Sequence, residues 1–146
     1  MIILGLVLGV PHVHGADHKL YVYAAAILVG TVVGHTHLCV SDVGTTVAFY
    51  RDVLGFELMA QLGPMAAFLA AGGYHHHVGA NTWESRGAPY APAGTARLLR
   101  ATIILPDAHE LARVAARLDA EPADGRLELV DPSGVPLLLE TVQQQP

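Results

Sequence analysis

Cysteine is all but missing. Cys39 is the one cysteine in 146 residues, so the chain can form no internal disulfide framework and no cysteine-rich zinc site. Basic residues are also few. Eight Lys and Arg stand against thirteen Asp and Glu, for a formal net charge of -5. Binding to nucleic acid needs clustered cations to neutralise phosphates, and none cluster here, so a nucleic-acid partner is not expected. Charged residues make up only 14% of the chain and hydrophobic ones 52%. That is the composition of a chain that buries a core, not of a disordered one. Long apolar spans are lacking as well. Met1 to Val10 is apolar but has no Lys or Arg before it, so it reads poorly as a secretory signal. Leu20 to Val33 falls short of the roughly 20 residues that a membrane span needs. No membrane partner is expected, and a cytoplasmic setting is.

Histidine is the residue in excess, with nine. His12, His14 and His18 lie between the two apolar runs and read as solvated loop residues. Leu20 to Val33 is rich in Val, Ile and Tyr, which reads as a strand. Residues 1–33 are therefore expected to be an apolar, strand-forming extension, with one domain over 34–146.

That domain contains an internal repeat, with modules at about 34–83 and 97–143. His35 to Val40 reads as a strand. Asp42 can cap a helix from about Val43 to Leu54, with Val47, Tyr50 and Leu54 as its buried stripe and Gly55 as its stop. Strands follow near Phe56 to Gln61, Met65 to Ala71 and, after a Gly72-Gly73 turn, Tyr74 to Ala80. Asn81 to Gly94 is a Pro- and Gly-rich connection. The order then returns: a strand over Leu98 to Leu105, a helix capped by Asp107 with Leu111, Val114 and Leu118 on its buried face, and strands near Leu127 to Val130 and Val135 to Val142 about the Asp131-Pro-Ser-Gly turn. The predicted class is α+β: two βαβββ modules whose curved mixed sheets enclose a cleft. Neither module can bury both faces of its sheet alone.

The stretch Gly34-His-Thr-His-Leu-Cys-Val-Ser-Asp42, followed by Ala48-Phe-Tyr-Arg-Asp-Val-Leu-Gly-Phe-Glu57, resembles the opening module of the vicinal oxygen chelate superfamily, which includes glyoxalases, bleomycin-resistance proteins and extradiol dioxygenases. Ala71-Gly-Gly-Tyr-His-His-His-Val-Gly-Ala-Asn-Thr-Trp83 is similar to the catechol 2,3-dioxygenase-like branch, and Ile104-Leu-Pro-Asp107 with Asp131-Pro-Ser-Gly134 fits the second module. The resemblance implies a divalent metal, Fe(II), Mn(II), Ni(II) or Zn(II), held in the cleft by residues of the first and last strands. It also implies a small-molecule substrate with vicinal oxygens.

Residue by residue, the resemblance places His35 at the first-strand ligand position. Strand alternation puts His35, His37 and Cys39 on one face and Thr36, Leu38 and Val40 on the other. The same alternation puts His75 and His77 together and His76 opposite. The expected metal ligands are His35, His77 (or His75 on the same face) and Glu140, the last reached by a shift of strand register or a bulge. His37 is the expected proton carrier. Tyr74 and Trp83 are candidates for an aromatic substrate pocket, or plain packing residues. Arg100 stands where the second module's histidine is expected, seven residues before Asp107 as His35 is seven before Asp42. A guanidinium cannot ligate a metal but suits an anionic substrate group. Leu138 holds the position of the usual final glutamate. Two readings follow: a metal-dependent dioxygenase, lyase or isomerase, or a metal-free small-molecule binding protein of the bleomycin-resistance type, with no cofactor. In either case a homodimer is expected, to cover apolar runs and sheet edges.

Overall fold

A computed structural model of the chain describes residues 4–9, 34–92 and 94–142. The segment from Leu20 to Val33 and the histidines His12, His14 and His18 lie outside the described residues.

The first module runs β2 (Thr36–Cys39), α1 (Val43–Ala48), β3 (Glu57–Leu62), β4 (Ala66–Ala70) and β5 (Val78–Asn81), after an N-terminal strand β1 (Leu4–Gly9). The Asp42 carboxylate caps α1, accepting from the Thr45 N–H at 2.7 Å and the Thr45 hydroxyl at 2.8 Å. One turn of π-helix, Phe49–Val53, continues α1. Val47, Tyr50 and Leu54 all point into the core, as their spacing predicts. Gly55 ends the turn at φ +81°, a left-handed conformation that favours glycine.

The second module runs β6 (Arg97–Leu105), α2 (Ala108–Arg117), β7 (Arg126–Val130) and β8 (Pro136–Thr141). Its helix is capped by Asp107, which accepts from the Glu110 N–H at 2.9 Å.

The strands form two four-stranded sheets, in the orders β2-β5-β4-β3 and β1-β6-β8-β7. In both, the first strand of the module lies parallel to its last (β2 with β5, β6 with β8), and the last pairs antiparallel with the strand before it. The repeat read from the sequence is thus a repeat of topology, and the class is α+β. The second sheet refines the expected pattern. Among the described residues its module supplies three strands, and β1 supplies the fourth, antiparallel to the outer edge of β6.

Leu38 from β2 and Val40 just after it, Ala101, Ile103 and Leu105 from β6, and the apolar faces of both helices share one core. Polar bonds also cross between modules. The Tyr50 hydroxyl donates to Asp131 at 3.3 Å, and Arg117 donates to the Val53 carbonyl at 2.8 Å. With the helices on the core side, His35, His37 and Cys39 of the first sheet and Arg100 of the second are left on exposed faces. No helix among the described residues is long and apolar enough to cross a membrane.

Candidate metal centre

β2 alternates as expected: Leu38 is buried while His35, His37 and Cys39 are exposed. His37 lies in register with Gly79 of β5, and Gly79 with Phe68 of β4. A Cβ on Gly79 would come within 2.9 to 3.0 Å of three atoms of the His37 ring. Glycine therefore lets the imidazole lie flat across the neighbouring strand, the close approach that an interior strand glycine marks. The Phe68 ring meets His37 at 6.0 Å and His76 at 5.1 Å between centroids, edge-on in both cases.

The fourth strand departs from expectation. Gly72 and Gly73 both take positive φ, as the sequence predicts, but β5 begins only at Val78. Tyr74 to His77 is a loop, so strand alternation does not govern its histidines. His76 turns onto the face of β2, with its Nε2 3.2 Å from that of His37. One ligand atom from each of His35, His37 and His76 lies within 4.8 Å of the others. Burial, and then the facing charge of His35, holds the pKa of His37 below the usual imidazole value. Burial and then the surrounding histidines, His35 first, do the same for His76. Both are biased toward the neutral form, whose lone pair a metal requires.

The set expected from the sequence, His35 with His77 and Glu140, is not the set that the structure brings together. His77 is 7% exposed. Its Nδ1 accepts the Ala71 N–H at 3.2 Å and so closes the loop, while its ring packs on Tyr74 and Phe56. Glu140 sits on β8 opposite Ile104 and accepts from Arg126 at 3.2 Å. No hydrogen bond or ion pair among the described residues joins Glu140 or Arg100 to the histidines. Leu138 is buried.

The expected substrate residues are also dispersed. Tyr74 stacks on His75 and His77 at 4.2 and 4.7 Å, and its hydroxyl leaves no room for a Cβ on Gly34. Trp83, 66% exposed, borders an open depression of about 490 Å³ with Met65, Thr82, Glu84 and Arg86. Arg100 borders another of about 300 Å³ with Glu128, Leu129, Val130, Pro136 and Leu137. None of the clustered histidines lines either one. His76 is the residue that face-counting missed. It was missed because His76 lies in the loop before β5 and not in the strand, where alternation would apply.

Comparison with known proteins adds three findings. A family model described as the Glyoxalase/Bleomycin resistance protein/Dioxygenase superfamily matches residues 32–122. A catechol-2,3-dioxygenase of Bacillus subtilis (strain 168) is 47% identical over 89 residues, 60% of this chain but 31% of that protein, so the match spans about a third of the relative's length. Among solved structures, a lactoylglutathione lyase from Agrobacterium tumefaciens superposes with a TM-score of 0.55 at 19% identity, covering 77% of this chain and 94% of that one. An antibiotic binding protein from Streptomyces superposes at 0.51 and 21%, covering 79% and 98%. At such identities these two structures speak for the fold alone.

Proposed function

The chain belongs to the glyoxalase/bleomycin resistance protein/dioxygenase superfamily, and from that membership we propose that it is a metal-dependent enzyme acting on a small molecule with vicinal oxygens. The observation that carries this reading is the convergence of His35, His37 and His76, with one ligand atom of each within 4.8 Å of the others. Three imidazoles fit a divalent transition metal, and three protein donors leave positions free for substrate oxygens. A divalent ion held there would supply a Lewis acid that polarises a bound oxygen. With His37 in the donor set, the proton-carrying role expected of it passes to His75. That residue is exposed, and its ring centroid stands 4.5 Å from that of His76 and 5.8 Å from that of His35.

The name of the Bacillus relative sets the first substrate to try, a catechol with its two adjacent hydroxyls. The test strips the full chain with a chelator and reloads it in turn with Fe(II), Mn(II), Ni(II) and Zn(II). Oxygen uptake and ring-opened product are then followed with catechol, and isomerisation with hydroxy-carbonyl substrates. Turnover that needs a metal and is lost in His35→Ala supports the proposal. It is overturned if no metal restores turnover while stripped and loaded protein bind catechol equally well.

That second outcome belongs to a metal-free binding protein, and one observation favours it. The Arg100 depression, with Glu128 and the apolar Leu129, Val130 and Leu137 around it, has a cation and apolar walls but no metal-ligating histidine. An anionic, partly apolar small molecule fits that chemistry. Its test is calorimetry with aromatic carboxylates on wild type and Arg100→Ala. Equal binding by the two would rule it out.

A further inference from the structure

We propose that His35, His37 and His76 form a nitrogen-only metal site, preset by Gly79, that selects zinc, copper or nickel over manganese and magnesium. This rests on the metal-dependent reading above and makes it specific. His37 lies on β2, His35 immediately before it and His76 in the loop before β5, so one module holds the whole set. Among the described residues the group contains no carboxylate. Oxygen-preferring cations such as Mn(II) and Mg(II) gain most from charged carboxylates, whereas imidazole nitrogen suits Zn(II), Cu(II) and Ni(II). A neutral three-nitrogen set therefore widens the gap between the two groups beyond that of a mixed histidine and glutamate site.

The site is also built before any ion arrives. Gly79 is not in the left-handed region, so its backbone does not call for glycine. The space above it does, because the His37 ring lies where a Cβ would project. Phe68, in register with Gly79, meets both His37 and His76. A solvated surface histidine needs no such seat. Here the ring is laid across β5, within 3.2 Å of His76, and that placement makes the cluster. Gly79 is a positioning residue: it touches no ion and acts through His37.

The experiment uses the full chain and two readouts besides turnover. Calorimetry measures Zn(II) and Mn(II) binding to wild type, Gly79→Ala, His37→Ala and the double variant, with circular dichroism confirming that each is folded. Electron paramagnetic resonance of the Cu(II)-loaded wild type counts the coordinated imidazole nitrogens. The expected result is Zn(II) preferred over Mn(II) by at least about 100-fold, and coupling to three nitrogens. Gly79→Ala weakens Zn(II) binding by roughly tenfold or more, as loss of a supporting contact to a ligand does. The same change in the His37→Ala background has no further effect, because no ring remains to displace. Mn(II) binding within about tenfold of Zn(II), fewer than three nitrogens, or a Gly79→Ala protein that binds as wild type does would overturn this inference and leave the metal-dependent reading standing. A wild type that binds none of these ions overturns both.

Discussion

Asp131 is buried, and its carboxyl titrates above the ordinary carboxylate range because burial outweighs the N–H groups of Val135 and Ser133 that stabilise its charge. It receives those N–H groups at 2.8 and 2.9 Å and the Tyr50 hydroxyl at 3.3 Å, so it holds its own turn and ties the second module to the first. The sign of the pH effect follows from the raised value. Between the unfolded and the raised folded pKa, the folded state holds more protons, so this group's contribution to stability falls as pH rises through that window. In Asp131→Asn, Oδ1 still accepts the two backbone N–H groups and the titration is gone. Its stability in urea should rise relative to wild type between pH 4 and pH 7; a difference flat with pH would contradict this. Asp131→Ala leaves the Tyr50 hydroxyl and two buried N–H groups without a partner and should cost about 3 kcal/mol in the same measurement. Asp131 was legible in the sequence as a turn residue. Its bond to Tyr50, 81 positions away, was not, since no local pattern encodes a partner in the other module.

At the scale of elements, both helix starts were legible because a cap is a local device: Asp42 and Asp107 each accept from the N–H three residues on. Asp107→Ala should cost about 1 kcal/mol in denaturant unfolding, with the metal-binding properties unchanged because α2 belongs to the other module. A loss of metal affinity in that variant would contradict this division of labour between the modules. The start of β5 was not legible. Tyr74 to His77 follows a Gly-Gly turn and has the aromatic and histidine content of a strand, but the ring of His77 bonds the Ala71 N–H and draws the segment into a closed loop. His76 meets His37 on the face of β2 while the ring of His77 lies against Tyr74 and Phe56, the reverse of the order that alternation predicts. The pairing of β1 with β6 was equally hidden, because the apolar run at Met1 to Val10 names no partner strand.

For the whole molecule, the topological repeat hides an asymmetry of chemistry. β2 and β6 each open their module and pair parallel with its last strand, yet His35 shares a ligand cluster with His37 and His76 while Arg100 has Glu128 and apolar walls. The fold was read from its repeat and its caps. The candidate site was read only in part, at His35 and its face, because the remaining ligands depend on a loop closure and on a seat made of glycine. One module therefore carries the proposed metal chemistry and the other a depression lined by Arg100, Glu128 and apolar side chains. The central claim is the placement of the ion, and anomalous diffraction at the zinc edge from crystals of the zinc-loaded full chain tests it most directly. The account predicts an anomalous peak in contact with nitrogens of His35, His37 and His76, absent in His35→Ala crystals. A peak on Glu140 or His77 with the three-histidine cluster vacant would contradict it.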